Sequence, residues 1–212
     1  ACVISLDNGF QEVVTIVADS AATAQRLNAA LGYQMLAKGP VDPAALEALG
    51  IDGSWAANEV LVGDPAQGRG YIRLIDFPGR ILPVGRNGGQ AWDTGGIFDF
   101  NIRSLISLDD AQLTMTCHGF VGHAPVVHWQ FGPLDVKEAV LSDADGVCIA
   151  MMERLAPPLT GYEAVKGPVS YVFNSTQIVA DFDAARAFYV NVLGWTAAQE
   201  TTMEHESGDN CM

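Results

Sequence analysis

The chain has few basic residues. It contains 11 Lys and Arg against 25 Asp and Glu, which gives a formal net charge of −14 over 212 residues. A surface this acidic repels the phosphates of nucleic acids and of anionic membranes, so neither is an expected partner. The ordinary consequence of the charge is solubility.

Long apolar runs and targeting segments are also missing. No stretch reaches the ~18 apolar residues that a membrane-spanning helix needs. The first ten residues lack the basic segment and apolar block of a signal peptide. Because the chain starts at Ala1 rather than Met, we expect some N-terminal sequence to be absent.

Cysteine is scarce and scattered. The four thiols form no C-x-x-C pair, which excludes a zinc ribbon or a thioredoxin-like motif. Scattered thiols in a chain of this size favour a reducing compartment, so the predicted location is cytoplasmic. The sequence also has no G-x-S-x-G, Walker or dinucleotide-binding fingerprint.

What the sequence does contain is an internal repeat. Residues 17–34 read VADSAATAQRLNAALGYQ, and 162 positions later residues 179–196 read VADFDAARAFYVNVLGWT. Each copy follows an apolar strand and predicts a short helix, which begins after an N-cap Asp and ends at a C-cap Gly. An internal repeat constrains a fold more strongly than local propensity does.

The repeat resembles the opening of a βαβββ module of the vicinal oxygen chelate superfamily. This group includes glyoxalase I, bleomycin-resistance proteins and extradiol dioxygenases. Residues 188–194, FYVNVLG, match its F-Y-x-x-x-L-G helix end, whereas the first copy has Arg26-Leu27 in place of Phe-Tyr. Residues 143–149, DADGVCI, resemble the D-P-D-G-N-x-I turn that closes such a module. The same residues lack the Glu that a calcium loop needs at its twelfth position, so a hairpin turn is expected.

The resemblance implies an α+β fold of paired βαβββ modules, which form a cupped mixed sheet with helices on its outer face. The offset between the two copies matches a whole two-module domain plus a linker. We therefore predict a complete domain in residues 1–158, with modules at about 10–78 and 97–155. Residues 159–212 are predicted to be a linker and the first, incomplete part of a second such domain. Its remainder is expected in a longer natural chain or, less simply, in another chain.

Two local patterns in the second module carry structural predictions. Apolar and polar residues alternate in residues 97–106, which predicts a half-exposed strand. Asp109 and Asp110 are predicted to cap a short helix that runs through Cys117. Between the modules, the glycine-rich residues 79–96 are predicted to form a flexible connection.

The resemblance also implies where a metal would bind. In the family, ligands come from the first and the closing strand of each module. The first-strand positions are Glu12 and Asp99, with Asn174 in the third unit, and the closing-strand positions are Arg73 and Ala150. Ala150 cannot bind a metal and Arg73 would repel one, whereas two carboxylates can hold a hard cation with waters. The expected cofactor is one divalent metal (Fe, Mn, Zn or Ni), or none.

Two further features suggest chemistry. His118, His123 and His128 cluster near Trp129, and any of them could act as a general base near neutral pH, although a satisfied structural His is the simpler interpretation. An ion pair of Glu12 with Arg73 would orient a carboxylate or an enolate-forming substrate, or would serve only as a structural salt bridge.

We therefore predict an enzyme that acts on a small, partly apolar organic molecule in the cup. The resemblance implies lyase, isomerase or ring-cleaving dioxygenase chemistry. The catalytic candidates are Glu12, Arg73 and His128, and the metal candidates are Glu12 and Asp99. The alternative is a metal-free protein of the bleomycin-resistance type that binds or sequesters a small molecule, which Ala150 favours. Assembly as a homodimer is left open.

Overall fold

The computed structural model describes residues 9–83 and 96–200. The strands there are β1 (Glu12–Ile16), β2 (Gln34–Pro40), β3 (Asn58–Gly63), β4 (Tyr71–Asp76), β5 (Ile97–Ser104), β6 (Val121–Gly122), β7 (Val127–Phe131), β8 (Leu134–Ser142), β9 (Cys148–Ala156) and β10 (Asn174–Gln177). The α-helices are α1 (Ser20–Leu31), α2 (Pro43–Ala48), α3 (Leu108–Cys117) and α4 (Phe182–Ala187), and α4 continues into a π-helical segment (Phe188–Val192). Most of the predicted connection at residues 79–96, together with Cys2 and Cys211, lies outside the described residues.

The first module forms a four-stranded sheet, sheet A, with the strand order β1-β4-β3-β2. Strands β1 and β4 are parallel, and the other neighbours are antiparallel. Helix α1 connects β1 to β2. Its N-cap Asp19 accepts a hydrogen bond from the Ala22 N–H at 2.9 Å, and its C-cap Gly32 takes the left-handed conformation (φ 75°). Both caps are as the repeat predicts, because the residue types suit the two helix ends.

The second module and β10 form sheet B, with the strand order β10-β5-β9-β8-β6, and β7 also pairs with β8. Strands β5 and β9 are parallel, as β1 and β4 are in sheet A. Helix α3 connects β5 to β6. Asp109 and Asp110 lie in the first turn of α3 rather than capping it, since the N-cap residue is Ser107. Their negative charges there still favour the positive end of the helix dipole.

One hydrophobic core joins the two modules. Helices α1 and α3 contact each other, and each packs on one face of its own sheet. Large, fully buried core side chains come from both modules, among them Tyr33, Ile72, Leu74, Ile102, Phe120 and Leu141. Burying a side chain of this size contributes roughly 1.5–3 kcal/mol. The face of each sheet that is turned away from α1 and α3 is called the inner face below.

Residues that follow the second module add to the same core. Val169 and Val172 are buried in it, and the Val172 N–H donates to the Gly70 carbonyl at 3.1 Å. Gly70 has φ 64°, and a Cβ there would lie 2.5 Å from the Val172 carbonyl oxygen, so this close approach requires glycine. Strand β10 then pairs antiparallel with β5. The predicted division of the chain at residue 158 stays a prediction.

The second copy of the repeat forms a helix but does not bury it. Asp181 caps α4 by accepting a hydrogen bond from the Ala184 N–H at 2.9 Å, as Asp19 does for α1. Ser20 and Leu31, which are buried in α1, have exposed counterparts here: Phe182 and Leu193 are 64% and 37% exposed, and α4 has no buried residue. None of the described helices combines the length and the apolar content that crossing a membrane requires.

Candidate functional site

The inner face of sheet A carries a cluster of three charged residues. Glu12, Arg73 and Glu59 lie on the neighbouring strands β1, β4 and β3 and alternate with core residues, which places them on one face. Arg73 donates from Nε and Nη2 to the two oxygens of Glu12, each at 2.8 Å, and from Nη1 to Oε2 of Glu59 at 2.7 Å. The hydrogen bond with Glu12 is the largest of the effects that raise the pKa of the guanidinium.

The inner face of sheet B carries a more deeply buried polar cluster. Asp99 and Asn101 on β5 are only 2% and 1% exposed. The Asn101 amide donates to Oδ1 of Asp99 at 3.3 Å and to Oγ1 of Thr176 on β10 at 3.4 Å. The prediction of a half-exposed strand at residues 97–106 is therefore wrong. The reason is that β9 and β10 flank β5, and residues that follow the second module contribute to its surroundings.

Glu138 on β8 belongs to this second cluster. It is 7% exposed, and its Oε2 accepts a hydrogen bond from the Trp129 indole N–H at 3.1 Å. Its other carboxyl oxygen, Oε1, is buried and has no hydrogen-bond partner among the described residues. Burial, with a smaller contribution from the negative charge of Asp99, raises the pKa of Glu138 to about 7. A carboxyl group that titrates near neutral pH can both accept and return a proton there.

Two arginines lie on the same face. Arg103 on β5 contacts the sulfur of Met152 through Nη1 at 3.5 Å, and its guanidinium carbon lies 4.0 Å from the centre of the Phe173 ring. Burial and the nearby positive charge of Arg154 lower the pKa of Arg103. The Nε atoms of Arg103 and Arg154 are buried and have no hydrogen-bond partner in the part of the chain that the structure describes.

Ala150 occupies the middle of the sheet B inner face. It pairs with Asn101 on one side and with Val140 on the other, and it is fully buried. The methyl group leaves this strand position without a polar side chain. At the corresponding closing-strand position of sheet A, Arg73 fills the space and binds both glutamates.

The structure brings together some of the predicted site residues and separates others. Glu12 and Arg73 form the predicted ion pair, whereas Asp99 lies in the other cluster, beside Asn101. His128 alternates with Trp129 on β7 and so faces the opposite side from it, where it is hydrogen-bonded to Asp135 and its side chain is 54% exposed. The catalytic roles of these residues stay predictions.

The donor set does not fit the metal that the resemblance implies. Both oxygens of Glu12 accept from Arg73, and Ala150 offers no ligand atom. Within residues 9–83 and 96–200, no group of three or more His, Cys, Asp and Glu side chains is placed to hold a metal ion. A divalent metal held by Glu12 and Asp99 stays a prediction.

Sequence reasoning did not single out Glu138, Arg103 or Arg154 as site residues. The alternation in β8 cannot reveal the orientation of Glu138, because both faces of that strand carry apolar residues. Val136 and Val140 accompany Glu138, while Ala139 and Leu141 face the core. The sequence does contain one indication of this site: Asp99, Asn101 and Arg103 occupy alternate positions, which places three polar side chains on one face of the strand.

Comparison with solved structures identifies the fold. A glyoxalase family protein from Bacillus cereus superposes with a TM-score of 0.57 at 17% identity, over 74% of this chain and 100% of that one. A Bacillus subtilis protein provisionally named a dioxygenase gives 0.59 at 12% identity, over 92% of this chain and 57% of that one. A single-residue variant of glyoxalase I from Zea mays gives 0.61 at 16% identity, over 92% and 58%.

These likenesses show the fold alone, because all the identities are low. The α+β fold of βαβββ modules expected from the resemblance to the vicinal oxygen chelate superfamily is confirmed. The chain spans little more than half the length of the Bacillus subtilis and Zea mays proteins. No protein-family model matches the sequence, and no curated protein matches it.

Proposed function

We propose that this protein is an enzyme with a glyoxalase-like fold that moves a proton on a small, partly apolar carbonyl compound. The substrate would bind on the inner face of sheet B. The observation that supports this best is the buried Glu138 carboxyl group, which has one oxygen bonded to Trp129 and the other unpartnered among the described residues. An acid of this kind, held in an apolar surrounding, suits general acid–base chemistry at neutral pH.

The proposed reaction is an isomerisation. Glu138 takes a proton from a carbon beside the carbonyl, and the electron pair of that C–H bond moves to the carbonyl oxygen to form an enolate. The carboxylic acid then returns the proton to a different carbon or to the opposite face. Substrate and product are isomers, so no oxidant, reductant or second substrate is needed. The positive charge of Arg103 on the same face would stabilise the enolate oxygen.

The test is hydrogen–deuterium exchange in D2O, followed by proton NMR. The probes are phenylpyruvate and the neutral ketone 1-phenylpropan-2-one, and each rate is compared with that in buffer. We expect the protein to accelerate exchange of at least one probe, and Glu138→Gln to remove about 10²-fold or more of that acceleration. Glu59→Gln, which alters a glutamate on the inner face of sheet A, serves as the matched control.

Two results would overturn the proposal. One is the same acceleration in Glu138→Gln as in the unaltered protein. The other is no acceleration of either probe by the unaltered, folded protein. The first result requires a folded variant, which is checked by agreement of the two thermal unfolding midpoints. The second is measured on the unaltered protein alone.

A second candidate function is metal-free binding or sequestration of a small molecule, as in bleomycin-resistance proteins. It is favoured by Ala150 and Arg73, which stand where the resemblance implies metal ligands. Metal analysis of the purified protein separates the two ideas. Stoichiometric Fe, Mn, Zn or Ni that is lost in Glu12→Ala would support a metalloenzyme. Metal-free protein that binds an apolar ligand and catalyses no exchange would support sequestration.

A further inference from the structure

We infer that the ligand of the sheet B inner face is a small organic anion, a carboxylate on an apolar body, which Arg103 and Arg154 hold. The inference rests on the proposed function insofar as it concerns the same site, and it adds the substrate class. The arginines of the two inner faces differ in their surroundings.

Arg73 on sheet A is neutralised within the protein. Two glutamates occupy Nε, Nη1 and Nη2 at 2.7–2.8 Å. Arg103 has a different environment: it interacts with the Tyr162 hydroxyl, and the charge of Glu138 acts on it. The Nε atoms of Arg103 and Arg154 are buried without a hydrogen-bond acceptor among the described residues. A buried N–H group that lacks an acceptor is costly, and a bound acceptor removes that cost.

The two guanidinium groups also lie close enough to affect each other. They project from the neighbouring strands β5 and β9, where Arg103 is paired with Met152 and Arg154 follows two residues later on the same face. The charge of Arg154 disfavours the charged form of Arg103. Two like charges held together in a half-buried place are unfavourable unless an anion binds between them.

The chain as a whole makes this local pair unusual. With 25 acidic residues against 11 basic ones, the protein repels anions at long range. A local concentration of positive charge offsets that repulsion at the site. The planar guanidinium group binds a carboxylate with two parallel hydrogen bonds, which favours a carboxylate over a monatomic ion.

The rest of the face suits an apolar body. Trp129 stacks on Phe131 with the ring centres 5.8 Å apart, and Trp129 pairs with Val136, which in turn pairs with Arg154. Phe173 lies against Arg103. An aromatic or aliphatic group beside these side chains would leave its carboxylate at the two arginines, while Glu138 lies between the aromatic and the cationic parts of the face.

The experiment uses two molecules of the same shape that differ in charge. Binding of phenylacetate and of the neutral phenylacetamide is measured by isothermal titration calorimetry on the full chain. We expect phenylacetate to bind at least about tenfold more tightly, as a charge-assisted hydrogen bond would provide. Arg154→Gln and Arg103→Gln should each remove roughly tenfold or more of that preference. Arg154→Lys keeps the charge and should retain part of it.

The control is Lys137→Gln, which removes a positive charge from the opposite face of β8, where Lys137 pairs with Asp109. It should leave the preference unchanged. Equal affinity for phenylacetate and phenylacetamide would overturn the inference, as would an unchanged preference in folded Arg154→Gln. Failure here is distinct from failure of the proposed function. If exchange of the neutral ketone depends on Glu138 but phenylacetate is not preferred over phenylacetamide, the inferred anionic ligand is wrong and the proposed function stands.

Discussion

The inner faces of the two sheets use equivalent positions in opposite ways. On sheet A, the first-strand Glu12 and the closing-strand Arg73 bind each other, and Glu59 completes the charge balance around the arginine. On sheet B, the first-strand residue is Asp99, and the closing-strand position, which pairs with Asn101, holds only Ala150. Sheet B therefore has no counterpart of the ion pair between first and closing strand among the described residues. Buried polar atoms on this face remain without hydrogen bonds there.

The difference shows how one module architecture can be used for stability or for binding. In the ion-pair network of sheet A the donors of Arg73 are already occupied, so a ligand would have to displace a carboxylate before it could bind the guanidinium group. An unsatisfied, buried polar face carries an energetic penalty that a ligand relieves. We therefore interpret sheet A as structural support and sheet B as the working surface, and the predictions below test that division.

The largest expected effect is at Glu138. A rise of its pKa from the ordinary value of 4.5 to about 7 corresponds to about 3 kcal/mol between its two protonation states. Since the folded-state pKa is raised, the stability contributed by this group is present below pH 4.5 and is lost as the pH rises through about 7. We expect Glu138→Gln, which stays uncharged, to gain up to about 3 kcal/mol relative to the unaltered protein between pH 4 and pH 8.

Urea unfolding at a series of pH values measures this difference. Glu59→Gln on sheet A is the matched control, and it should show no comparable gain as the pH rises from 4 to 8. A constant difference between Glu138→Gln and the unaltered protein at all pH values would show that Glu138 is not held as a buried acid. The division between the two faces would then lose its main support.

A smaller effect is expected at Arg73. Replacing it with Gln leaves Glu12 and Glu59 without their shared cation, on side chains that are one quarter to one third exposed. We expect a loss of about 1–2 kcal/mol in the free energy of unfolding at pH 7, a modest value because solvent screens the pair. In 1 M NaCl, where charges act over only about 3 Å, the loss should fall by roughly half.

The same variant tests function as well as stability. If sheet A is structural, Arg73→Gln should retain the phenylacetate preference and the exchange activity, once the protein is kept well below its unfolding midpoint. Loss of either in a folded Arg73→Gln protein would move the working surface to sheet A, where the sequence-based prediction of an anion-orienting Glu12–Arg73 pair had placed it.

Much of the fold could be predicted from the sequence, because helix-capping residues and the internal repeat indicate it locally. Asp19 and Gly32 stand at opposite ends of one helix and suit those ends chemically, and the repeat indicated that this unit occurs again. The pairing of Glu12 with Arg73 was also predictable, since both residues occupy corresponding strand positions. These signals do not indicate how deeply the Glu12–Arg73 pair is buried.

The sheet B site depended on contacts that are distant in sequence. Asp99 is buried because β10, some 75 residues later, pairs with its strand and places Thr176 beside Asn101. Glu138 has an unusual environment because Trp129, from the preceding strand, and Asp99, from another part of the sheet, surround it. Alternation identifies two faces of a strand but not which face will be covered.

The smallest expected effect is at Trp129. Its indole N–H donates to Glu138, and this hydrogen bond lowers the pKa of the carboxyl group against the larger effect of burial. In Trp129→Phe the pKa of Glu138 should therefore lie higher than in the unaltered protein. The variant should lose about 1 kcal/mol of stability at pH 8, where the bond is charge-assisted, and less at pH 5. Trp55→Phe, beside sheet A, should show no such pH dependence. Trp55 packs on Phe77 and Arg80, and the carboxyl group to which it hydrogen-bonds, Asp52, has a pKa lowered mainly by hydrogen bonds with Ser54, so it is ionised at both pH 5 and pH 8. A double-mutant cycle with Glu138→Gln isolates the pair, and a coupling energy that is the same at pH 5 and pH 8 would show that the indole does not report on the charge of Glu138.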